Sequence, residues 1–173
     1  CLMGERPERY DGTGAHVIVT RSGKVIWLHD WTHRVAAANG WNNKTVSIEI
    51  DGLYAGVEGD PRTVWDDPVT PHREKPMRLT VEAIDSTQYV IKWICGEVPG
   101  IKVLVAHRQS SKDRRNDPGS AIWEQIALPM HKKLGLSDGG LGFEIGGYPI
   151  PSAWDPSKAD IPYDQVKDDP LAA

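Results

Sequence analysis

One helical pattern stops at Pro99-Gly100 and another starts at Ser120, and between them runs Ile101-Lys-Val-Leu-Val-Ala-His107. An apolar, partly β-branched run between two helical segments calls for a strand packed against helices. Upstream of it, Thr80 is placed as an N-cap with Glu82 in the first turn. Ile84, Ile91, Ile94 and Val98 then recur at helical spacing, giving a helix of about 28 Å. Downstream, Ile122, Ile126, Met130 and Leu134 share one face, and Pro129 is expected to kink that helix.

The N-terminal half reads as β structure. His16-Val-Ile-Val19 and Lys24-Val-Ile-Trp-Leu28 are apolar runs joined by Thr20-Arg-Ser-Gly23, where Gly23 adopts positive φ at little cost. Thr45-Val-Ser-Ile-Glu-Ile50 is a further β-branched strand, ended by Asp51-Gly52. Residues 53–78 hold Pro61, Pro68, Pro71 and Pro76 and keep neither period, so they read as an inserted loop. The expectation is a single α/β domain with a central mixed β-sheet flanked by helices. It spans residues 1–135, with residues 136–173 as a Gly-, Pro- and Asp-rich tail, packed or partly mobile.

With 173 residues the chain is long enough to bury about 68–70% of its unfolded surface. A net charge of −4 argues against a nucleic-acid binder, which usually presents a basic face. No apolar run approaches the roughly 20 residues that span a bilayer, and the first residues lack the basic and apolar regions of a secretory signal. Cys1 and Cys95 make no disulfide framework, and Cys95 falls among apolar helix residues as a buried thiol.

The chemistry gathers after the 101–106 run. His107 stands at its end, and Arg115-Asn-Asp117-Pro-Gly119 follows in a loop. Imidazole nitrogen and carboxylate oxygen are both zinc donors, and a catalytic zinc site needs three such ligands plus an open position. Glu49 projects from its strand on the face of Ser47 and Asp51, where a carboxylate could take a proton from water. Arg115 would be a fixed cation beside a developing oxyanion. Each has a plainer reading: a surface carboxylate, a capped histidine, a turn aspartate, a solvated charge. His16, His29, His33, His72 and His131 show no His-x-x-x-His spacing and read as structural or solvated, although His33 lies in a loop that could reach a site.

Taken in order, Ala15-His16-Val-Ile-Val-Thr-Arg-Ser-Gly23, Gly40-Trp-Asn-Asn43, Thr45-Val-Ser-Ile-Glu49-Ile-Asp-Gly52, Val105-Ala-His107-Arg108 and Arg115-Asn-Asp117-Pro-Gly119 resemble the zinc-dependent N-acetylmuramoyl-L-alanine amidases. That family is related to the peptidoglycan recognition proteins. The resemblance covers roughly residues 14–135, with 53–78 as an insertion. It implies Zn²⁺ held by His107 and Asp117, Glu49 as the catalytic carboxylate, and Arg115 where the family often has lysine. Arg keeps the charge but changes the geometry.

The resemblance also implies a peptidoglycan or muropeptide substrate and a cell-wall role: extracytoplasmic, phage-associated or in wall recycling. Trp41 and Trp65 would wall the groove. Two departures accompany it. The family's first zinc histidine lies on a strand before the hairpin, and no histidine precedes His16 here, so that ligand is expected upstream of residue 1 or lost. A second common histidine is replaced by Ala37 or Ala38, with His33 nearby. An incomplete ligand set would leave a non-catalytic peptidoglycan-binding module as the alternative.

Overall fold

A computed structural model describes residues 14–64, 75–159 and 161–163. Strand β1 (Val17–Val19) sits at the centre of a three-stranded mixed sheet. It pairs antiparallel with β2 (Val25–Trp27), Val17 opposite Trp27, and parallel with β3 (Ile48–Ile50), Val17 opposite Ile48. The hairpin forms as its residues dictate: Gly23 takes φ +80°, and Thr20 Oγ1 accepts the Lys24 N–H. Val17 and Val19 are fully buried beneath Val90 and Ile94 of the long helix. Alternation therefore places the sheet's apolar side chains where a helix can cover them.

That helix, α1, runs Val81–Glu97. Thr80 Oγ1 accepts the Ala83 N–H, as expected of an N-cap, and also donates to the Arg21 carbonyl, tying the helix start to the hairpin turn. The second helical stretch changes its winding ahead of Pro129. It is α2 (Ser120–Ile122), a π-helical stretch Trp123–Ala127 and α3 (Leu128–Leu134), continuous through right-handed dihedrals. Pro129 has no N–H for the Gln125 carbonyl one α-turn back. The ladder widens instead, with Leu128 N–H reaching Trp123 O, and Gln88 of α1 donates its side-chain amide to Gln125 O at 2.9 Å. The turn ahead of the proline is thus widened and bonded to the neighbouring helix.

The run 101–106 is extended but joins no ladder with the sheet. Its one bridge is Val103 to Ser137, where Leu104 N–H donates to Ser137 O and Ser137 N–H to Lys102 O. Two of its backbone groups are thus satisfied by the chain that follows α3, and an open cavity of about 960 Å³ lies between the run and β3. Within the 53–78 segment, Ala55 bridges Val64, and Leu53 O accepts Met77 N–H. Trp65, Pro68, Pro71 and His72 lie outside the described residues, as does Cys1.

Part of the C-terminal segment packs into the core. Ile150 and Trp154 are buried with Ala106, Trp123 and Ala127, and Trp154 has no exposed surface. Among the described residues, no helix is long and apolar enough to cross a membrane.

Candidate active site

His107 opens a 3-10 turn, His107–Gln109, directly after the extended run. The Gln109 side chain folds back to accept the Ala106 N–H at 2.9 Å, which closes the turn. From the turn, Arg108 N–H donates to Asp117 O at 3.0 Å, and Asp117 N–H donates to Arg114 O at 3.0 Å. The loop is thereby stitched back on itself, and His107 Nδ1 comes 3.1 Å from Asp117 Oδ2. Both side chains are about one-third exposed, at 28% and 32%. They are open enough for a ligand to reach them.

The Asp117-Pro118 peptide bond is cis, and Gly119 follows at φ +98°. A Cβ on Gly119 would stand 2.5 Å from the Ala55 carbonyl, so only glycine fits this turn. Ser120 N–H donates to Gly56 O, while Ser120 Oγ accepts the Glu58 N–H at 2.7 Å. Residues 54–58 thus form the shelf on which the Pro-Gly turn rests.

Glu49, on β3, lines the same cavity as His107, Asp117, Arg114 and Asn116. Glu49 is exposed as a residue, and water reaches its carboxyl through the open cavity, with neighbouring protein burying the group only in part. That burial, reinforced by the Asp117 charge, raises its pKa above the ordinary glutamate value, while His107 and Arg114 pull it back. Glu49 is therefore electrostatically coupled to both residues of the His107–Asp117 pair. A carboxyl with a raised pKa in the same cavity as two metal-type donors has the chemistry of a proton carrier.

The cation differs from the sequence expectation. Arg114, not Arg115, lines the cavity, and its Nη1 lies 4.0 Å from Asp117 Oδ2. Arg115 is joined to the site through its backbone instead, its carbonyl accepting from Arg108 Nη1. Within Lys112-Asp-Arg-Arg115 the cation that faces inward is set by the 3-10 turn Lys112–Arg114, which the charge run alone does not reveal.

The remaining histidines are accounted for. His16 is fully buried. Its Nδ1 accepts the Ser47 N–H, and its Nε2–H donates to the His33 carbonyl. His33 stacks on His29 at 4.7 Å and lines a separate cavity with Trp31 and Arg34, so it does not reach Glu49. His131 donates to Leu104 O at 2.8 Å. Trp41 is buried against Phe143 and lines the Glu49 cavity.

Nitrogen and oxygen donors on one loop, 3.1 Å apart, suit a tetrahedral ion as two of its ligands. Among the described residues, no three His, Cys, Asp or Glu side chains stand close enough together to hold a metal. The pair fits as part of a site and needs a further donor.

Comparison with known proteins decides the family. Residues 3–120 match the family model described as N-acetylmuramoyl-L-alanine amidase, about two-thirds of the chain. The chain belongs to that amidase family. Its fold is also that of a solved amidase: N-acetylmuramoyl-L-alanine amidase LysC from Clostridium intestinale superposes with a TM-score of 0.54. The match covers 78% of each chain at 13% sequence identity, so it speaks for the fold alone. No curated protein matches the chain. The family match ends at residue 120, so α3 and the buried Ile150 and Trp154 lie beyond it.

Proposed function

We propose that this amidase-family protein hydrolyses the amide joining the lactyl group of N-acetylmuramic acid to L-alanine in peptidoglycan, as a zinc enzyme. The observation that carries the reading is the meeting of Glu49, His107 and Asp117 in one open cavity, from two parts of the chain about 60 residues apart. His107 and Asp117 would hold the metal. When bound, zinc supplies Lewis-acid polarisation to the scissile carbonyl and the attacking water.

The chain's own groups do the rest. Glu49 takes the proton that water loses on attack and delivers it to the leaving amine nitrogen as the C–N bond breaks. The products are a lactyl carboxylate and the free amine of L-alanine. The Arg114 guanidinium, rather than that of Arg115, stands where it steadies negative charge near Asp117. Substrate of this kind places the protein at the cell wall, in an extracytoplasmic, phage-lysis or wall-recycling setting.

The test is release of a new N-terminal alanine from muramyl dipeptide and from whole peptidoglycan, with and without added Zn²⁺. Metal-dependent release supports the reading. Tight binding of peptidoglycan without any release would replace it with a second reading, a non-catalytic binding module. The absence of a third donor among the described residues is the observation that favours that alternative.

A further inference from the structure

We propose that Arg108 is a positioning residue that couples the C-terminal segment, residues 138–163, to the 107–117 loop. Through Arg108 this segment, which lies beyond the family match, sets the affinity of the candidate metal site. The proposal rests on the reading of His107 and Asp117 as metal ligands.

Arg108 is almost wholly buried, at 1% exposure, although arginine is rarely interior. Its guanidinium carbon lies 4.8 Å from the Trp154 ring, 5.4 Å from Tyr163 and 5.6 Å from Tyr148, all residues of the C-terminal segment. Nη1 donates to the Arg115 carbonyl, and Nη2 donates to the Tyr163 carbonyl at 3.2 Å. A planar cation with fixed donors can satisfy carbonyls at its edge and aromatic faces above it at the same time.

The backbone repeats the pattern. Arg108 N–H faces Asp117 O, while Arg108 O accepts the Tyr148 N–H at 2.8 Å. Gln109 O accepts the Ile145 N–H at 3.0 Å, and Gln109 Nε2 donates to Asp138 O at 2.9 Å. The 107–109 turn is thus held on one side by the aspartate loop and on the other by the C-terminal segment. The approach is close: a Cβ on Gly147 would fall 2.1 Å from Arg108 O.

Three consecutive residues of the aspartate loop are pinned by this arrangement. The Arg115 carbonyl is held by the Arg108 guanidinium, and the Asp117 carbonyl by the Arg108 N–H. Asn116 Oδ1 is held by the hydroxyl of Tyr163. Partners that orient a metal ligand without touching the ion commonly change metal affinity by about 10–100-fold when removed.

The experiment compares the full chain with Tyr163→Phe, which loses one hydroxyl and keeps the ring over Arg108. Arg108→Lys, which keeps the charge and loses the planar fork, serves as a second variant. Val90→Ala, in the β1–α1 core far from the loop in sequence, controls for general softening. Zn²⁺ affinity is read by competition with a chromophoric chelator, alongside the urea midpoint and amide exchange at Arg108 and Asp117.

The expected result is a loss of affinity of about 10–100-fold in Arg108→Lys, accompanied by a loss in Tyr163→Phe, each larger than in Val90→Ala at equal or greater loss of urea midpoint. Unchanged affinity, or a loss no greater than the control's, overturns the proposal. If the unaltered protein binds no zinc, the metal reading fails separately, and exchange at Arg108 and Asp117 decides the coupling. Faster exchange in Arg108→Lys and Tyr163→Phe then upholds it, and unchanged exchange in Arg108→Lys overturns it.

Discussion

His107 Nδ1 stands 3.1 Å from Asp117 Oδ2, across a loop of ten residues whose backbone is bonded to itself at Arg108–Asp117 and Arg114–Asp117. The two donors are brought together before any ion arrives, which reduces the ordering cost of binding one. His107→Ala and Asp117→Ala should each abolish stoichiometric zinc, measured by elemental analysis after dialysis. Full zinc in either variant would remove that residue from the ligand set.

Glu49 is given a different part, and a different signature follows. Glu49→Gln should bind zinc as the unaltered protein does while losing about 10²–10⁴-fold in kcat. The check is zinc content and steady-state hydrolysis of muramyl dipeptide on one preparation. Retained turnover with zinc bound would assign the proton transfer elsewhere.

Gly119 carries a prediction about the turn behind Asp117. Gly119→Ala must accommodate φ +98° and a Cβ 2.5 Å from the Ala55 carbonyl. The expected cost is more than about 1 kcal/mol of stability, read as a lowered urea midpoint, together with weaker zinc binding. A midpoint equal to the parent's would show that the turn relaxes freely.

His16 makes the fold's stability depend on pH. Burial first of all, and then the nearby His29 and His33, lower its pKa below 6.5, against the pull of the His33 carbonyl and Asp30. The unfolded chain then takes up a proton at higher pH than the folded one. The stability contributed by neutral His16 is complete above pH 6.5 and is lost as pH falls toward the lower folded pKa. Urea midpoints between pH 7.5 and 5 should fall more steeply for the parent than for His16→Gln. Parallel slopes would contradict this.

Much of the molecule is legible in its residues because the signals are local. Thr80 caps α1 through its own hydroxyl, Gly23 turns the hairpin, and alternation in 17–19 and 48–50 places the sheet faces. Candidate donors can likewise be named one by one, since donor chemistry belongs to side-chain type. What those residues do together was not local. Arg114 rather than Arg115 enters the cavity because a 3-10 turn sets the angle of the loop.

The same division holds across the chain. The sequence by itself determined the hairpin, the start of α1, the apolar faces and which side chains carry donor or proton-carrying chemistry. Tertiary structure alone decided three things. The 101–106 run bonds Ser137 instead of the sheet, Pro129 widens its helix because Gln88 takes up the freed carbonyl, and residues 138–163 close over Arg108. In each case a backbone group or buried charge left unsatisfied by its neighbours in sequence found its partner far along the chain. Such partners are chosen by desolvation across the whole fold, which no local pattern encodes.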